Sequence, residues 1–381
     1  MKHIAIIDHV GKKAGMDYYS GSLARGLAQS SVQVSVYSNF TGLDPDKVDY
    51  HLLFEGHSKT KKLVKLFRLL KAIMKAAINA REKKSDLVIV HLFSADIVTL
   101  LLTAIPKSLG LRTAFISHDV SSFAEKDNRF IQNLIYNRFA DFIVVHNQFS
   151  KKTLLGNIQI KEPKKVITIK HGGYLDHINQ KPDKKELRRE LGLEEEGKYL
   201  LFFGQIKKVK GLDILLEAMN KLPEEIKLII AGKPWKDDFS SYDTLIAEYG
   251  LQNRVIKMIR FIEDEEREKL FFAADANILP YRIIYQSGVL LMAMSHGLPV
   301  IASDLSPNRE VIENGINGLL FTSEDSDDLA KKIDQFFFDH SLQEILSHNA
   351  RKTIRDKYSW TPIAQGYINM IEDDFSRRRA K

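Results

Sequence analysis

The chain of 381 residues contains no cysteine, which excludes disulfides and thiolate metal sites. Its twelve histidines are scattered, with no H-E-x-x-H or comparable ligand spacing, and no metal centre is expected. Two phosphate-binding signatures are missing as well: neither G-x-G-x-x-G nor G-x-x-x-x-G-K-[ST] occurs. Long hydrophobic runs are lacking. The best span, Ala95 to Pro106, falls well short of the roughly 20 residues that a bilayer requires. The opening MKHIAIIDHV is interrupted by Asp8 and has no secretory h-region. A cytoplasmic protein is expected.

What is present is ordinary in total and uneven in distribution. The composition is 44% hydrophobic and 28% charged, and a chain of this length is expected to form two domains. Residues 1–190 carry 31 Lys/Arg against 18 Asp/Glu, whereas residues 191–381 carry 25 against 31. The first half is therefore expected to face something anionic. It lacks the aromatics interleaved with basic residues that stack bases, so nucleic acid is not the expected partner.

Apolar β-rich runs alternate with amphipathic segments along the whole chain. In the first half they are HIAIID, VQVSVYS, LVIVHL, TAFISHD, DFIVVHN and KVITIKH. After a charged stretch from Asn179 to Lys198 the pattern restarts with YLLFFG, KLIIAG, RVIKMI, DANILP and LPVIAS. Near-continuous Val/Ile content marks strands covered on both faces. The fold class expected is α/β: two doubly wound, Rossmann-like domains facing across a cleft, with ligands at the carboxyl ends of the strands. The expected limits are 1–180 and 198–358, joined by a linker over 181–197 and followed by a helical segment over 359–381.

Three loops at strand ends suit a phosphate. Gly11 and Gly15 follow the first strand, where Gly15 either admits a ligand to the backbone or merely turns the chain. In FFGQIKKVKGLDILLEAM, Lys207, Lys208 and Lys210 precede a helix, a placement that suits a diphosphate but also describes solvated surface. In YRIIYQSGVLLMAMSHGLPVIAS, Gln286-Ser287-Gly288 open an apolar helix. Its first N–H groups await either an anion or a packing turn.

The order and spacing of these signals over Leu200 to Phe321 resemble the nucleotide-binding domain of the retaining glycosyltransferases of family four, which have the GT-B architecture. RFIEDEEREKLFFAADANILPYR and QSGVLLMAMSHGLPVIASDLSPNREVIENGINGLLF carry much of the resemblance. The Gly15 loop, ISHDVSSF and IKHGGY extend it more loosely into the first half. It implies a metal-independent transfer of sugar, without a cofactor, from a nucleoside diphosphate sugar to a glycan or lipid-linked acceptor. The donor diphosphate would meet Gly15, Gln205, Lys207, Lys210, Ser287 and the amides of Gly288, Val289 and Leu290. The nucleobase and ribose would lie toward Arg260, Phe261, Ile262, Tyr281, Arg282 and Gln286. His118 and Lys210 would be catalytic, and the terminal helix would return to the first domain. Acceptor choice would lie in loops such as Met16 to Ser20 and Val120 to Asp127. Two family glutamates are replaced by Ile284 and Met292, as in a QSGV subset. The alternatives are an inactive nucleotide-sugar-binding relative and a sugar-nucleotide epimerase of the same architecture.

One further segment stands out. Lys59 to Lys84 holds ten basic residues and one acid. At helical spacing Lys61, Lys65, Arg68, Lys71 and Lys75 share one face, opposite Leu63, Leu66, Phe67, Leu70, Ile73, Met74 and Ala77. A core-packed helix with a solvated outer face would show the same two sides, but ordinary surface helices mix Glu with Lys, so the single sign predicts a helix lying on an anionic membrane surface. The expected location is therefore the inner face of the cell membrane, with the protein bound peripherally.

Overall fold

The computed structural model describes residues 1–12, 15–54, 61–120, 128–178, 182–235 and 238–379. Residues 121–127 of the expected acceptor loop lie outside them. The chain divides into two compact units, Met1–Gly172 with Tyr358–Lys381, and Gly173–Lys357.

Unit one is built on seven parallel strands: β1 His3–Ile7, β2 Gln33–Ser38, β3 Asp49–Leu52, β4 Leu87–Leu92, β5 Thr113–Ser117, β6 Phe142–Val145 and β7 Val166–Thr168. Their order is β3-β2-β1-β4-β5-β6-β7. Ile6 sits opposite Val36 on one side and Ile89 on the other, so the strand order reverses at β1 and β4. Both are buried along their whole length, as their unbroken apolar sequences require. The helices of this unit are α1 Met16–Gln29, α2 Lys62–Glu82, α3 Ile97–Ser108, α4 Arg129–Asn133 and α5 Gln148–Asn157. The edge strand β3 has no apolar run in DYHL, which is why its pattern was not recognised.

Unit two carries six parallel strands: β8 Lys198–Phe203, β9 Ile226–Ala231, β10 Val255–Met258, β11 Ala276–Leu279, β12 Val300–Ser303 and β13 Leu319–Phe321. Their order is β10-β9-β8-β11-β12-β13, so the reversal falls at β8 and β11. Around it lie α6 Lys184–Glu190, α7 Leu212–Met219, α8 Ser240–Glu248, α9 Asp264–Ala273, α10 Gly288–His296, α11 Ser306–Arg309, α12 Ser326–Phe338 and α13 His340–Lys357. Strand β13 is three residues long and escapes a periodicity reading.

The charged stretch from Asn179 to Lys198 reads as a linker plus a short helix, and α6 Lys184–Glu190 is that helix. Arg188 on α6 is buried, with Nη2 donating to both carboxylate oxygens of Asp275 at 2.9 Å and Nε donating to the Ala273 carbonyl. A polar sequence hid an internal ion pair, and α6 belongs to unit two. The last helix, α14 Trp360–Arg379, belongs to unit one. A Cβ on Gly26 of α1 would lie 2.8 Å from the Trp360 carbonyl oxygen, so glycine permits this close approach.

Helix α2 packs through small residues. Ala72, Ile73, Ala76, Ala77 and Ala80 are buried, while Leu63 and Phe67 are 81% and 69% exposed. Met74 and Ile78 are exposed too, and so are Lys65, Arg68, Lys71 and Lys75. The solvent side is thus split lengthwise into a basic flank and an apolar flank. Leu63, Phe67 and Met74 were expected opposite the cations, and the structure leaves them uncovered.

Candidate functional site

Unit two builds its site where the strand order reverses. The chain leaves β8 at Gly204, whose φ of +106° suits glycine, and a Cβ placed there would lie 3.6 Å from the side chain of Val289 in the first turn of α10. The loop after β8 therefore runs alongside the start of α10. Lys208–Lys210 form a single 3-10 turn that ends at Gly211, with φ +66°. A Cβ on Gly211 would sit 1.9 Å from the Pro280 carbonyl oxygen, so no other residue fits without moving the chain after β11.

Arg282 fastens the same two loops. Its backbone N–H donates to the Val209 carbonyl at 2.9 Å, and its guanidinium donates to both oxygens of Asp213 at 2.8 and 2.7 Å. It also reaches the Lys208 carbonyl and Glu324. Arg282 was expected beside the nucleobase, but its donors are committed to this brace. Tyr281 was expected on the same side. It is buried, and the Lys210 ammonium stands 3.7 Å from its ring centroid, so Tyr281 seats the lysine. Lys207 stands over Trp235 at 4.5 Å.

Helix α10 begins with a side-chain cap. The Ser287 hydroxyl accepts from the Leu290 N–H at 3.1 Å. Leu290 therefore has no amide to offer a ligand, contrary to expectation, and Ser287 spends its oxygen inside the helix. The amides of Gly288 and Val289 have no partner among the described residues. A Cβ on Gly288 would approach the Tyr174 hydroxyl to 3.0 Å. Ile284 and Met292, which replace the two glutamates, are both buried at 8% exposure and pack as apolar residues.

On the nucleobase side, Ile262 is buried, so only its backbone is available, and Phe261 is 61% exposed. Arg260 pairs with Glu266 through two bonds of 2.5 and 2.6 Å. Gln286 is half-buried and Gln205 exposed.

Unit one carries a second constellation at the carboxyl ends of its strands. Gly15 caps α1 with φ +74°, and a Cβ placed there would meet nothing within 4 Å among the described residues. His91 on β4 and the residues just past β5, β6 and β7, namely His118, His146 and His171, surround the ring of Tyr19 at centroid distances of 4.8–5.6 Å. His91 Nδ1 lies 2.9 Å from His118 Nε2, and His91 Nε2 lies 3.1 Å from the Ser20 hydroxyl. Ser20 in turn donates to Asp8 at 2.7 Å. His118 is half-buried, stacked on Phe93 at 4.7 Å.

Burial pushes His146 down to about 3 and His91 and His171 to about 4, and holds His118 well below the usual range; neighbouring histidines add to it at His118 and His146, while Asp8 opposes it at His91. All four rings are neutral at pH 7. Between pH 6.5 and about 4 the unfolded chain binds protons that the native one refuses, so stability rises with pH in that window. The contribution is complete above 6.5 and is lost as pH falls toward 4. Urea unfolding at pH 7, 6 and 5 should show stability falling by about 1 kcal/mol per pH unit for each histidine kept neutral. The His146→Gln variant should flatten that slope. A slope unchanged in the variant would show that His146 is not held neutral.

Comparison with known proteins decides what these two units are. Residues 183–353 match the family model described as Glycosyl transferases group 1, and residues 14–174 match the one described as Glycosyltransferase Family 4. The chain carries the two domains of a family-four-like glycosyltransferase. The uncharacterized glycosyltransferase MJ1607 of Methanocaldococcus jannaschii is 30% identical over 192 residues, 50% of this chain and 48% of that protein, so the match spans about half of this relative's length. The putative glycosyltransferase YtcC of Bacillus subtilis is 25% identical over 331 residues, 81% of this chain and 78% of its own. Among solved structures, Anabaena Alr3699/HepE in complex with UDP-glucose superposes with a TM-score of 0.74 at 21% identity, covering 99% of this chain and 100% of that one. That likeness shows the fold, two Rossmann-like domains of the GT-B type.

Within this family-four frame, sequence reasoning singled out His118 and Lys210 but missed what holds them. The Asp213–Arg282 brace joins residues 69 positions apart and leaves no local pattern. The histidine cluster did leave one: LVIVHL, TAFISHD, DFIVVHN and KVITIKH each place a histidine at or just past a strand's end.

Proposed function

We propose that the chain is a retaining glycosyltransferase that moves a sugar from a nucleoside diphosphate donor to a glycan or lipid-linked acceptor at an anionic membrane surface. The observation that carries it is the alignment in unit two of a lysine-bearing loop with the open amides of Gly288 and Val289. Ammonium and N–H donors together suit a diphosphate leaving group. In this reading the bond from the anomeric carbon to the phosphate oxygen breaks while the acceptor oxygen attacks from the same face. The acceptor proton passes to the departing phosphate, so no strong protein base is needed. Lys210, Lys207 and the two amides take up the developing charge, which makes the transfer independent of a metal. His118 orients the sugar.

Because a solved neighbour holds UDP-glucose, UDP-sugars are the first donors to test. The assay is release of free UDP with and without the acceptor. Acceptor-dependent release supports the transferase. Interconversion of the free nucleotide sugar without release would favour an epimerase, and binding without either reaction would favour an inactive relative.

Helix α2 supports the membrane part. No helix among the described residues is long and apolar enough to cross a bilayer. Its apolar flank instead borders a groove of about 700 Å³, lined by Tyr37, His51, Leu53, Phe67, Met74 and Ile78 among others. Exposed apolar area beside a row of cations fits an interfacial helix.

A further inference from the structure

We propose that Asp8, Ser20 and His91 are positioning residues that fix His118 as its Nε2–H tautomer, so that the ring offers a ligand only the acceptor atom Nδ1. The inference rests on the donor-side role proposed for His118 and adds three residues to it.

The direction of the chain follows from what each group is able to donate. Asp8 is fully buried; its Oδ1 accepts the N–H groups of Val10 and Gly11 at 3.0 and 2.9 Å. Its Oδ2 accepts the Ser20 hydroxyl at 2.7 Å. A serine has one hydroxyl proton, and a carboxylate only accepts, so that proton is spent on Asp8. Ser20 Oγ is then an acceptor toward His91, and His91 Nε2 must carry the hydrogen across the 3.1 Å contact. A neutral imidazole has one N–H, which leaves His91 Nδ1 as a bare acceptor. The 2.9 Å contact to His118 is closed only if His118 Nε2 donates. His118 Nδ1 has no partner among the described residues, and His118 is half-buried, whereas Asp8, Ser20 and His91 are buried.

The surroundings keep the order intact. Burial holds both rings neutral, as argued above, so neither imidazole gains the second N–H that would scramble the chain. Phe93 stacks on one face of His118 with an interplanar angle of 7°, and Tyr19 meets the ring edge-on at 79°. An acceptor-only nitrogen recognises a hydroxyl donor, the group that a sugar supplies. A tautomer fixed in advance spares the site from selecting one of two on binding.

Reversing the first link should reverse the whole chain. In Asp8→Asn the side-chain oxygen still accepts from Val10 and Gly11, while the amide N–H now donates to Ser20. The Ser20 hydroxyl must turn to His91 Nε2, His91 moves its hydrogen to Nδ1, and His118 is left as the Nδ1–H tautomer. Each group stays neutral and no proton is gained or lost. Nitrogen-15 spectra of the histidine rings, assigned by a His118→Gln variant, read this directly. The expected result is an Nε2–H signal for His118 in the native protein and an Nδ1–H signal in Asp8→Asn. Ser20→Ala, which cuts the link and leaves Asp8 in place, should give an averaged tautomer and serves if Asp8→Asn does not fold. In transfer assays both variants should lose about tenfold or more in kcat, with donor KM within about twofold, as expected when a tautomer and not a binding contact is lost. An Nδ1–H signal in the native protein, or an unchanged signal in both variants, overturns the inference. If His118→Gln transfers sugar normally, the donor-side role of His118 fails by itself, because the spectra still decide the hydrogen-bond order.

Discussion

Replacing Lys210 by alanine should lower sugar transfer by about 10²–10³-fold, the loss found when one preorganised donor to a developing oxyanion is removed. The prediction rests on how this ammonium is held. Among the described residues no acid pairs with it, and it stands over the Tyr281 ring, which attracts a cation without neutralising it. Arg282, next to it, is the contrast. Its charge is taken up by Asp213 and Glu324, so it organises the loop and adds little field at the ligand. Lys210→Ala should therefore reduce kcat more than it raises donor KM, because charge on the diphosphate grows as the sugar–oxygen bond breaks. Lys210→Arg should recover part of the rate, since the charge returns with a different reach. Thermal unfolding of Lys210→Ala without nucleotide should show only a small loss of stability, about the 0.5–1 kcal/mol of one cation–π contact. Steady-state kinetics with a UDP-sugar make the comparison. A variant within threefold of native kcat would mean that the amides of Gly288 and Val289, or Lys207, carry the charge, and the catalytic role of Lys210 would be withdrawn.

Parts of the fold and site were legible in sequence for identifiable reasons. The long strands of both sheets showed themselves because burial on both faces demands unbroken Val, Ile and Leu, as in LVIVHL and KLIIA. Strand β3 did not, because DYHL has no apolar run. The start of α10 was located correctly, and of the three amides expected there only that of Leu290 is taken up, by the Ser287 hydroxyl. Ser287 can either cap the helix or leave its donors to a ligand, and only the χ1 angle that brings Oγ to the Leu290 N–H decides. Arg282 and Tyr281 looked like ligand contacts because charged and aromatic residues at a strand end often are. Their partners, Asp213 and Lys210, lie about 70 residues earlier in the chain, and pairing across that distance has no periodic trace. Arg188 repeats the lesson: KKELRRELG has the composition of a linker, yet one of its arginines is among the most buried cations in unit two. Polar long-range pairs were the common blind spot, and they are also what holds the candidate site in shape.

Converting Lys65, Arg68, Lys71 and Lys75 together to glutamate should abolish binding to vesicles containing anionic lipid. Near a charged surface each basic residue contributes about 1 kcal/mol, so losing four weakens partition by roughly 10³-fold, and reversing their sign adds repulsion. The apolar flank gives the prediction a second, separable part. Leu63, Phe67, Met74 and Ile78 are exposed in a row beside those cations, and a contiguous apolar row of this kind marks an interaction surface. Leu63→Ser with Phe67→Ser should therefore weaken adsorption at high salt, where the electrostatic share is screened and insertion must supply the rest. All six side chains are exposed, so neither set should change the free energy of unfolding by more than about 0.5 kcal/mol per site. Co-sedimentation with neutral and anionic vesicles, at low and high salt, separates the contributions. Native protein should prefer anionic vesicles and lose most of that preference as salt rises. Equal binding to both vesicle types would reject the basic flank as the determinant. Binding to neither would leave α2 as a surface helix whose apolar residues serve another contact, and the membrane would drop out of the proposed function while the donor site in unit two stood.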